Sequence, residues 1–139
     1  MTPEELAKYR AEKVEKEQRA AAEQERRADA ERSQFQSDTD AAKAAIGKKI
    51  IPYLDRVKTA MNGAITFAPM VNTDHEPVGV DLRMDNRKAS IKMFGSTFQC
   101  YIDSRRPPYG AIPFTGIRSI ADITDDKLGQ FIKAMIDTD

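Results

Sequence analysis

The chain has 139 residues, enough for one domain with an extension, and carries 22 basic and 22 acidic side chains. Charge stays balanced along it, with 8 basic and 9 acidic residues in 1–36 and 14 and 13 in 37–139, so no general attraction to nucleic acid or an anionic membrane follows. A single cysteine, Cys100, excludes an internal disulfide and a Cys-based zinc site, and no run approaches the ~20 apolar residues of a bilayer span.

The N-terminus carries no apolar signal region, and with no disulfide to form, the cytoplasm is the expected location. Residues 1–36 consist almost wholly of Ala, Glu, Gln, Lys and Arg, and after Glu31 the chain holds one further glutamate, Glu76. That shift divides the sequence into a solvated helical arm, 1–36, and a compact body, 37–139. Thr2-Pro3-Glu4-Glu5 reads as a helix start, with Thr2 as cap, Pro3 at the first helical position and Glu5 completing a capping box. Glutamate precedes a base by four residues at Glu4–Lys8, Glu12–Lys16, Glu15–Arg19 and Glu23–Arg27, together adding about 1–2 kcal/mol. A helix of about 50 Å is predicted for residues 3–36.

Ala7, Val14, Ala21, Ala28 and Phe35 recur every seven residues and supply one coiled-coil seam position. The companion position holds Ala11, Gln18, Glu25 and Arg32, so the seam is thin. A helix supported by its own charge pairs, a weak homo-oligomer through residues 7–35, and a helix docked on a partner are the competing readings. The apolar face is too poor in large side chains for membrane binding. Gln34 to Asp40 weakens helix propensity, and Ser37 or Asp38 is placed to cap a new helix. No Gly or Pro occurs there, so an unbroken rod to Gly47 is the alternative.

In the body, Ala42, Ile46, Ile50, Leu54, Val57 and Met61 follow helical spacing, with a kink or restart expected at Pro52 and a stop at Asn62-Gly63. Alternating runs then predict four antiparallel strands. Their inward residues are Ile65, Phe67 and Met70, then Val78, Val80, Leu82 and Met84, then Ala89, Ile91 and Met93, and last Phe98, Cys100 and Ile102. Gly95-Ser96 fits a tight hairpin. Residues 104–116, SRRPPYGAIPFTG, read as irregular, with a brief edge strand near Ile112 as the alternative. Thr124-Asp125-Asp126 starts a last helix whose stripe is Leu128, Phe131, Ile132, Met135 and Ile136. The fold class is α+β: a long charged helix, then about four antiparallel strands packed against two helices.

Catalytic signals are weak. His75 sits in the polar turn NTDHEP with no second nitrogen or sulfur ligand nearby. Cys100 between Phe98 and Ile102 reads as a core cysteine rather than a nucleophile. Asp122, Asp125 and Asp126 suit a helix N-terminus, and the calcium-loop spacing is missing. No cofactor, catalytic residue or metal site is predicted. The favoured function is a non-enzymatic interaction module that binds a protein partner. Arg105, Arg106, Tyr109 and Phe114 are its candidate contacts, because prolines stiffen the loop and Arg and Tyr are common anchors. Nucleic-acid binding through Arg83, Arg87, Lys88, Lys92, Arg105 and Arg106 is the alternative, with Asp81, Asp85 and Asp103 interleaved against it. An enzyme assembled from residues distant in sequence is the third reading.

Overall fold

Among residues 1–138, which the computed structural model describes, the order is α1 (Pro3–Ala45), a π-helical turn (Ile46–Ile50), α2 (Ile51–Ala60), β1 (Ile65–Val71), β2 (Pro77–Met84), β3 (Arg87–Phe94), β4 (Thr97–Asp103), β5 (Ala111–Phe114), a 3₁₀ turn (Ile120–Asp122) and α3 (Asp125–Asp137). The fold is α+β. By its internal contacts the chain divides into two compact units, Met1–Gln36 and Ser37–Asp139.

The start of α1 is fixed by a reciprocal cap. The Glu5 amide donates to Thr2 Oγ1 at 3.2 Å, and the Thr2 amide donates to Glu5 Oε2 at 3.3 Å. No break occurs at Gln34–Asp40, because Ser, Thr and Asp inside a helix each cost only a few tenths of a kcal/mol. The irregularity lies at Ile46–Ile50, just before Pro52. Pro52 has no N–H for the Lys48 carbonyl, and its ring would press on that oxygen; a widened turn relieves both faults. At 3.6 residues per turn, side chains four apart drift around a helix. The wider turn counters that drift, and Ala42, Ile46, Ile50 and Leu54 are all buried.

The five strands form one antiparallel meander in the order β1-β2-β3-β4-β5. The sequence predicted four, with a brief edge strand near Ile112 as the alternative; that strand is the four-residue β5, which sets Ile112 beside Ile102 and Phe114 beside Cys100. So short a strand, holding Pro113 and flanked by Gly110 and Gly116, has too little alternation to stand out from a loop. Val80, Leu82, Met84, Ala89, Ile91, Phe98, Cys100 and Ile102 are buried beneath the helices, and Leu128, Phe131, Ile132 and Met135 of α3 close the same core. Thr124 caps α3 by accepting from the Lys127 amide at 3.2 Å. The core contains no buried polar or charged side chain among the described residues.

Candidate interaction surfaces

Alternation puts Thr66, Ala68, Asp81, Arg83, Lys88, Ser90, Lys92, Gln99, Tyr101 and Asp103 on the sheet face opposite the core. Most of them are exposed. At one end of this face the pairing of β1 with β2 is irregular. The register slips between Met70 and Val71, so Met70 pairs with Gly79 and Val71 with Pro77, although both are consecutive in β1. The extra residue is therefore Val78 of β2, which has no partner in β1, so the bulge lies in β2 and β1 keeps its alternation. Met70, expected among the inward residues, shares the parity of Thr66 and Ala68 and so lies on the outer face, where it covers Gly79: a Cβ built on that glycine would meet Met70 Cε at 2.4 Å. Val71 is 54 % exposed and Phe94, on the outer face of β3, is 55 % exposed. Met70 and Phe94 thus add apolar groups to one end of an otherwise polar face, and Val71 is exposed at the end of β1.

The two sheet edges are differently equipped. β1 contains Pro69 and β5 contains Pro113, each lacking an N–H. Proline on an edge strand blunts it against a further strand.

The candidate basic residues do not form one patch. Arg83 and Lys88 are direct cross-strand partners on the outer face, Lys92 lies further along β3, and Asp81 and Asp103 share the same depression of about 250 Å³. Arg87 has the opposite parity. Its Nε donates to the Thr138 carbonyl at 3.3 Å, and its guanidinium stands 3.8 Å from Asp85. Arg105 and Arg106 lie in the exposed loop before β5, where the Arg106 amide and carbonyl both bond the Ser104 hydroxyl. Tyr109 in the same loop is 73 % exposed. Phe114 turns inward, half-buried, its ring centroid 5.2 Å from that of Phe131 with a 59° tilt. Sequence reasoning missed Met70, Val71 and Phe94 as surface groups; the signal for Phe94 was its outward parity beside Lys92.

In the arm, residues 1–36 are exposed throughout, including Leu6, Tyr9, Val14 and Phe35. The Glu15–Arg19 and Glu23–Arg27 pairs form, the latter at 2.8 Å, and Asp29–Arg32 joins them.

The reactive groups are quiet. Cys100 is buried, its pKa pushed up to about 12 by desolvation, and its Sγ approaches the Ile117 carbonyl at 3.9 Å. His75 has φ 59° in a turn organised by Asn72, whose Oδ1 accepts from the Asp74 and Glu76 amides. The Arg118 and Ser119 amides donate to Asp122 and hold its carboxyl below the usual aspartate range. A concavity of about 360 Å³ beside β4 and β5 is lined by Phe98, Tyr101, Phe114 and Arg118 among others, without a nucleophile and base in hydrogen-bond reach. Among the described residues, no group of three or more His, Cys, Asp or Glu is placed to hold a metal, and no helix is long and apolar enough to cross a membrane. No protein-family model, curated protein or solved structure matches the chain.

Proposed function

We propose that this protein is a non-enzymatic interaction module, with a helical arm for reach or self-association and an α+β body that binds a partner protein. The observation that carries the reading is the arm. Thirty-six consecutive residues are exposed, and Ala7, Val14, Ala21, Ala28 and Phe35 recur along them at seven-residue steps. A helix with one repeating apolar seam and charged flanks is suited to lie against another helix. On the body, the outer-face groups Met70 and Phe94, the exposed Val71 at the end of β1, and the loop bearing Arg105, Arg106 and Tyr109 are the surfaces assigned to a partner. Phe114 supports that loop from beneath through its contact with Phe131.

Nucleic-acid binding is the weaker reading. It loses Arg87 to the Thr138 carbonyl, and Asp81 and Asp103 sit among Arg83, Lys88 and Lys92. Immobilised full-length protein is expected to retain a defined protein partner, with retention reduced by Val71→Glu, Phe94→Glu or Tyr109→Ala. Retention unchanged by all three substitutions, or a low-salt mobility shift with single-stranded RNA and no protein retained, removes the proposal.

A further inference from the structure

We infer that the arm pairs antiparallel with the arm of a second copy of this chain, a specific form of the self-association proposed above and dependent on it. The argument is one of charge and size along the seam. In a parallel, in-register pair every residue meets itself. Glu25 would then face Glu25 of the second copy, Arg32 would face Arg32 of the second copy, and Phe35 would crowd its own counterpart while Ala7, Ala21 and Ala28 left gaps. Two like-charge layers in a seam of about eight turns are a strong bias against that orientation.

Reversing one helix removes these conflicts. One antiparallel register sets Arg32 over Ala7 of the second copy, Glu25 over its Val14, Gln18 over its Ala21 and Ala11 over its Ala28. Arg32, Glu25 and Gln18 then each lie with the stem across a small or β-branched residue and the head in water, while Glu4 reaches across Phe35 of the second copy at the end of the seam. The same register brings Lys8 beside Asp29 of the second copy and Arg10 beside its Glu31, and two-fold symmetry forms each pair twice. Lys8, Arg10 and Glu31 have no ion pair within the chain among the described residues, while Asp29 already holds Arg32. The parallel arrangement offers, at the flanking positions, Arg10 with Glu15 of the second copy, and Glu15 is already paired to Arg19. Alanine at four of the nine seam positions lets the axes approach toward the short end of the usual range, about 8 Å.

The test uses the full chain. Sedimentation equilibrium is expected to give a monomer–dimer equilibrium. The variant Lys8→Glu with Arg10→Glu weakens it by at least about tenfold, and adding Asp29→Lys with Glu31→Lys restores it. A spin label at Leu6→Cys, in a Cys100→Ala background, should report a separation of about 40 Å between copies, since its neighbour in this register lies near residue 33. A separation under about 20 Å means a parallel pair and overturns the inference. So does failure of the charge swap to restore association, or a strictly monomeric chain up to several hundred micromolar. The monomeric result leaves the partner-binding role of the body standing, because retention of a partner through Val71, Phe94 and Tyr109 is measured separately.

Discussion

At the residue scale, two positions show how an unremarkable letter carries a specific demand. Cys100 is a thiol that burial keeps protonated, with its pKa at about 12. Raising an acid's pKa in the folded state favours folding below the ordinary thiol pKa, and that contribution fades as pH climbs toward the folded value. At pH 8 Cys100 is therefore expected to resist iodoacetamide in the folded chain and to react fully once urea unfolds it, as followed by intact mass. Selective modification of the native protein contradicts its place in the core. Gly79 is the second case. A Cβ there would meet the Ile91 carbonyl oxygen at 2.6 Å as well as Met70 Cε. The methionine can swing away; the backbone oxygen cannot. Gly79→Ala is expected to lower unfolding free energy by about 1–3 kcal/mol in urea titrations. Met70→Ala in the same background should recover little of that loss, because the backbone contact dominates.

At the element scale, α3 and α2 illustrate why counting contacts misleads. Arg56 of α2 makes two 3.0 Å hydrogen bonds to Asp125 of α3 and stacks 5.4 Å over the Tyr53 ring. Both ion-pair partners are about two-thirds exposed, so water and salt screen the attraction. Phe131 makes no polar contact, but it is fully buried and packs against Phe114. Arg56→Ala is expected to cost under about 1 kcal/mol and Phe131→Ala about 3–5 kcal/mol, measured as shifts in chemical-denaturation midpoint at constant slope. Equal losses would mean the α2–α3 ion pair carries weight that its exposure denies. The π-helical turn belongs to this scale too. It converts the fault introduced by Pro52 into a way of keeping Ile46, Ile50 and Leu54 in the core.

At the scale of the whole molecule, residues 1–36 and the rest have different sources of stability. The arm draws on helix propensity, its Thr2–Glu5 cap and ion pairs such as Glu23–Arg27. The body draws on a continuous apolar core. Deleting residues 1–36 should accordingly leave a single cooperative thermal transition in near-UV circular dichroism, with the helical far-UV signal reduced. Loss of cooperativity or aggregation on deletion would show that the body needs the arm to fold.

Much of this architecture was legible in the residues. Thr2 and Glu5 announced the first cap, Thr124 the last, and the spacing of Val80, Leu82 and Met84 gave a strand with its buried side. Those signals are local, because a cap reaches three residues and alternation needs only a strand's own length. The inward set Phe98, Cys100 and Ile102 was readable for the same reason. The candidate surfaces were less so. Arg83, Arg87, Lys88 and Lys92 look like one basic group in the sequence, yet strand parity sends Arg87 to the other side, where the end of α3 supplies a carbonyl.

By itself the sequence determined which segments are helix or strand, where charge lies, and that the early residues are water-facing. Only the tertiary structure decided that Ala111–Phe114 is a fifth strand, that β2 bulges at Val78, and that Phe114 is committed to Phe131. Each of those outcomes is set by a partner distant in the chain: β4 for the fifth strand, β1 for the bulge, α3 for the ring. Propensity and periodicity report what a segment prefers, whereas register, bulges and edge pairing are fixed by what it meets.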